Sequence, residues 1–119
     1  MIQEFTNGAI TLYPGSNGVI ITHNVKAYST LKHVNFSSSG CCKITIAINN
    51  KDMITMLGLA GNQNHISLNL NLEPSDIIVI NATNLDKHSC VLYATLIHEE
   101  DSKRWFRKFE QEMEATIAD

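Results

Sequence analysis

The chain has 119 residues, 44% of them hydrophobic and 18% charged, with a formal net charge of -3. That length makes about one domain, able to bury roughly two thirds of the surface its unfolded chain exposes, and the composition excludes a disordered polymer. Residues 1–98 carry five lysines (Lys26, Lys32, Lys43, Lys51, Lys87) against five acids (Glu4, Asp52, Glu73, Asp76, Asp86). This neutral body, polar through Asn, Ser and Thr, argues against a nucleic-acid partner, which needs a basic stripe.

The opening "MIQEFTNGAI" has no basic flank and no apolar run of signal-peptide length. Nowhere do about 18 consecutive apolar residues occur. The expectation is a soluble protein made in a cytoplasm, with no membrane partner. Strand signals then recur at 9–13, 19–27, 31–37, 41–49, 53–57, 65–72, 76–81 and 90–98, each bounded by Gly, Asn, Ser or Pro. The connections "PGSNG", "SSSG", "NNKD", "GLAGNQN" and "NATNLDKHS" suit hairpins and sandwich corners. The prediction is mainly β: one antiparallel, jelly-roll-like β-sandwich of about eight strands over 1–98.

Facing follows from the period of two. Ile44, Ile46 and Ile48 share one face, as do Ile66, Leu68, Leu70 and Leu72, with Asn69 and Asn71 opposite. Both sets are predicted core. The runs 77–80 and 91–97 read as apolar on both faces, so the outer side of one sheet is predicted to be covered by the tail or by a neighbour.

After His98 the pattern changes to a C-terminal extension, 99–119. Trp105, Phe109, Met113 and Ile117 recur every fourth residue with Phe106 beside them, the apolar stripe of an amphipathic α-helix capped at Asp101 or Ser102. Lys103, Arg104, Arg107 and Lys108 stand in its first half and Glu110, Glu112 and Glu114 in its second, against the helix macrodipole. Pairs such as Arg107 with Glu110 offset this; alternatively the two halves address a partner. The stripe and its basic residues are the predicted partner-binding site.

No catalytic, cofactor or metal site is predicted. The five histidines occur singly, without HExxH or His-x-His spacing, and His23 falls in register with Val19, Ile21 and Val25 as a structural histidine. Cys41, Cys42 and Cys90 lack zinc-site spacing and read as small buried hydrophobes, with a bridge from Cys41 or Cys42 to Cys90 as the alternative. His88 and Cys90 share a strand face without a third group to orient the base. "GLAGNQN" lacks the lysine of a P-loop.

From "LYPGSNGVIITHNVKAYS" through "CCKITIAINNKDM" to "LNLNLEPSDIIVINATNLDKHSCVLYATLI", about residues 12–97, the order of elements resembles small β-sandwich structural proteins of tailed bacteriophage virions. The most telling segment is "LNLEPSDIIVINATN": a leucine strand, a turn with Pro74 and Asp76, a short aliphatic strand and a polar loop. Ser75 stands where the pattern has glycine. The resemblance implies a non-enzymatic virion component, a capsid decoration or cement protein or a tail or fibre-attachment protein, assembled as a homotrimer on capsid or tail proteins. Two further readings stand beside it: a phage-encoded protein that binds and inhibits a host protein, and a glycan-binding β-sandwich.

Overall fold

In the computed structural model, residues 3–58 and 63–100 are described. They form eight strands: β1 (Gln3–Leu12), β2 (Asn17–Asn24), β3 (Ser29–Ser38), β4 (Cys42–Ile48), β5 (Lys51–Gly58), β6 (Gln63–Leu72), β7 (Ile77–Asn84) and β8 (Cys90–Glu100). All pairings are antiparallel, in two four-stranded sheets of order β1-β8-β3-β6 and β2-β7-β4-β5. Successive strands alternate between sheets except at the β4–β5 hairpin, which is the double Greek key of a jelly roll. The predicted helix and all eight of its partner-binding residues, Arg104, Trp105, Phe106, Arg107, Lys108, Phe109, Met113 and Ile117, lie outside the described residues.

The core fills the space between the sheets. Ile44, Ile46, Ile78, Ile80, Leu31, Leu72, Leu92 and Leu96 are completely buried there, and Ile48, Ile66, Leu68 and Leu70 pack against them. The facing read for β4 and β6 is therefore the one the fold uses. In β2 a bulge between Val19 and Ile21 turns both Ile20 and Ile21 inward and leaves Val19 47% exposed. His23 and Val25 keep Ile21's side, but Val19 does not, because the extra residue reverses parity.

Among the described residues, the two runs read as apolar on both faces are fully buried on their inner faces alone. In β7, Ile78 and Ile80 face the core, whereas Val79 is half-buried and Ile77 is 42% exposed. Val79 is screened by its cross-strand neighbours Thr22 and Ala47 within the same sheet. In β8 the alternation is strict, with Val91, Tyr93, Thr95 and Ile97 pointing outward. No second layer of described residues covers either outer face.

The turns carry the local chemistry. Asn49 and Asn50, both in the left-handed region at φ 51° and 66°, make the two-residue hairpin between β4 and β5. In the Glu73–Asp76 turn, Pro74 leads, Ser75 has φ 80°, and the Asp76 amide donates to the Glu73 carbonyl at 3.1 Å. That is a type II turn with serine in the position that favours glycine. The Asp76 carboxylate clamps it, accepting from the Glu73 amide at 2.8 Å and from the Asn49 side chain at 2.9 Å. Ser75→Gly relieves the left-handed strain and is expected to stabilise the fold by about 0.5 to 1 kcal/mol, reduced by glycine's larger unfolded-state entropy. Urea unfolding should show a higher midpoint at unchanged slope; a lower midpoint would mean that serine is unstrained there.

All three cysteines are free thiols. Cys42 and Cys90 are buried and Cys41 is half-buried. Burial pushes the Cys42 thiol pKa up, which keeps it protonated and unreactive. Gly40 passes so close to the Cys90 sulfur that a Cβ at that position would overlap it.

Candidate functional site

Outward residues of the first sheet come from strands far apart in sequence and line up in cross-strand rows. Asn7 of β1 pairs with Thr95 of β8, Thr95 with Asn35 of β3, and Asn35 with His65 of β6. Every side chain in that row is polar and uncharged or an imidazole. The Thr95 hydroxyl donates to Asn7 Oδ1 at 2.7 Å. On the other flank His65 Nδ1 bonds Asn35 Oδ1, and because an amide oxygen only accepts, Nδ1 carries the proton. In that tautomer His65 Nε2 accepts from the Ser67 hydroxyl at 3.2 Å, and Ser67 Oγ accepts in turn from His33 Nδ1 at 3.5 Å. The His33 and His65 rings lie with centroids 4.8 Å apart.

This relay fixes one wall of a cleft of about 490 Å³ lined by Asn35, Ser37, His65, Tyr93 and Thr95, with Phe36 and Ala94 contributing from the inward positions. Tyr93 stands on its margin, 57% exposed. Among the described residues, no lining side chain carries a carboxylate, ammonium or guanidinium group. The arrangement offers donors and acceptors in a fixed frame, and it sets the Ser67 hydroxyl against the His65 imidazole. It was missed in the sequence because its parts are ordinary there. The available signal was the recurrence of His, Asn and Ser at alternate positions in "KHVNFSS" and "NHISLNLN".

A second cluster closes one end of the sandwich. The buried His98 of β8 bonds Glu4 of β1 through Nε2 at 3.0 Å, and its ring lies 5.0 Å from that of His23 on β2 in the other sheet. Lys26, Ser29 and Glu100 complete the surround. The structural role read for His23 thus gains a partner that its own strand did not reveal. Among the described residues no group of three or more His, Cys, Asp and Glu side chains has the arrangement to hold a metal ion.

Burial lowers the His23 pKa below its ordinary 6.5, helped by His98 and Lys26 and opposed by Glu4. The unfolded chain therefore binds this proton more readily than the folded one. It follows that stability is complete above the unfolded value and falls as pH drops through it toward the lower folded value. His23→Gln is expected to flatten that part of the dependence of melting temperature on pH relative to the parent chain. Parallel curves for the two proteins would contradict it.

Neither a family model nor a curated protein matches the chain. Among solved structures it is similar to the insecticidal delta-endotoxin Cry8Ea1 of Bacillus thuringiensis, with TM-score 0.53 and 12% identity over 79% of this chain and 20% of the toxin. It is also similar to the VP2 subviral particle of infectious bursal disease virus, with TM-score 0.50 and 14% identity over 81% of this chain and 32% of VP2. The chain thus spans a fifth to a third of these larger proteins, and at such identity the likeness is one of fold: an eight-stranded antiparallel β-sandwich of jelly-roll type.

Proposed function

We propose that this chain is a non-enzymatic structural protein of a tailed bacteriophage virion, a capsid decoration or cement protein or a tail-associated module. It assembles with itself, as a trimer, and docks on capsid or tail protein after synthesis in the host cytoplasm. The observation that carries this reading is apolar exposure on both outer faces: Phe5 and Tyr93 on the first sheet, and Val19, Met53, Leu57 and Ile77 on the second, set among Asn, Ser and Thr. Large apolar side chains ringed by uncharged polar ones have the composition of a protein contact surface. The resemblance of residues 12–97 to phage virion proteins supports it, as does the use of the same fold in the VP2 subviral particle. The stripe Trp105, Phe109, Met113 and Ile117 with Arg104, Arg107 and Lys108 supplies a further docking element in the proposal.

The test is the light-scattering mass of the full chain, together with its distribution when mixed with tailed-phage capsids and tails on a density gradient. A trimeric mass and co-sedimentation with particles are expected, with Trp105→Glu in the full chain weakening either one. A monomer that stays at the top of the gradient with every particle fraction would overturn the reading.

A further inference from the structure

We propose that the cleft on the outer face of the first sheet is a binding site for a neutral carbohydrate. A sugar presents hydroxyl groups that both donate and accept, above ring faces of C–H groups, so its site needs mixed donors and acceptors beside an aromatic surface. The cleft supplies this combination. The relay from His33 through Ser67 and His65 engages the carbonyl oxygen of Asn35 and leaves its amide nitrogen, with two N–H donors, to face a ligand. Thr95 donates to Asn7 and so keeps acceptor lone pairs. Ser37 adds a hydroxyl on the same face, one register step from Asn35.

Tyr93 provides the aromatic surface. It is cross-strand partner to Ser37 and to Ala9, and the small Ala9 leaves its ring uncovered on that side. A half-exposed ring at the margin of a polar cleft can lie against the C–H face of a pyranose while its hydroxyl bonds outward. At about 490 Å³ the cleft is within the roughly 300 to 1,000 Å³ of small-molecule sites. Charge selects the class of sugar. With no cation among the described lining residues, phosphorylated, sulfated and sialylated ligands would lose their hydration without an ion partner in return. The site shares Tyr93 with the first sheet's proposed contact surface, but sugar binding and assembly are read by separate measurements, so either can fail alone.

The experiment is a heteronuclear NMR titration of the full chain with glucose, galactose, mannose, their N-acetylated forms and short oligomers of each, beside sialyllactose and a sulfated hexose. The expected result is saturable shifts at millimolar concentration for at least one neutral sugar, centred on the Asn35, Ser37, His65, Tyr93 and Thr95 amides. Tyr93→Ala and Asn35→Ala should each weaken that binding about tenfold. Both side chains point outward, so the melting temperature should hardly change; any variant that fails to fold is replaced by Tyr93→Ser or Asn35→Ser. The proposal is overturned if no neutral sugar shifts these amides, if only the charged sugars do, or if both variants bind as tightly as the parent.

Discussion

Ile46→Asp is expected to leave no folded protein. Ile46 is completely buried on β4, an interior strand of the second sheet, and its cross-strand neighbours are Ile54 on one side and Ile80 on the other. A carboxylate there has neither a partner nor a path to water, and its protonation to escape the charge still leaves an unpaired acid in an aliphatic layer. The cost, several kcal/mol plus the lost packing of isoleucine, is comparable with the roughly 5 to 15 kcal/mol that holds a small domain together. Far-ultraviolet circular dichroism and urea titration read the result. A melting temperature equal to the parent's would mean that β4 faces the other way. Leu70→Asp should be milder, about 2 kcal/mol, because Leu70 is only half-buried and β6 is an edge strand from which a carboxylate can reach solvent.

Asn84 is the second residue whose loss should be severe. It is 1% exposed at the end of β7. Its amide nitrogen donates to the carbonyls of Leu12 at 3.0 Å and His88 at 2.8 Å, while its oxygen accepts from the Asp86 amide at 2.8 Å and the Cys90 thiol at 3.3 Å. One side chain thereby ties the end of β1 to the β7–β8 loop and the start of β8. Asn84→Ala leaves two carbonyls and an amide without their partner in a partly to fully buried corner, each costing about 1 to 3 kcal/mol, so a loss of about 3 to 5 kcal/mol is expected. Asn84→Asp should be no better, since its second oxygen would face two carbonyls that need a donor. Chemical denaturation checks both variants. A loss below about 1 kcal/mol for Asn84→Ala would show that water replaces the amide at no net cost.

All eight strands, and the inward faces of β4 and β6, were legible in the sequence, because alternation of apolar and polar residues is imposed locally by the pleat. The first half of β1 was not. "QEFTNG" shows no alternation, and the strand extends there because its backbone finds β8, from Gln3 opposite Glu99 onward. Ser75 likewise announced a turn without its type, which the backbone resolves as type II at φ 80°.

What the amino-acid sequence by itself determined is the number of strands, their one-layer core and the balance of charge in the body. Tertiary structure alone decided which strands lie side by side, since hydrogen-bonded partners such as β1 and β8 sit at opposite ends of the chain and leave no local trace. It also decided that Ile77 meets solvent, because outward burial depends on what covers a sheet and not on the strand's own pattern. The row Asn7, Thr95, Asn35 and His65 exists for the same reason. Four unremarkable residues become a site only when register places them across one face.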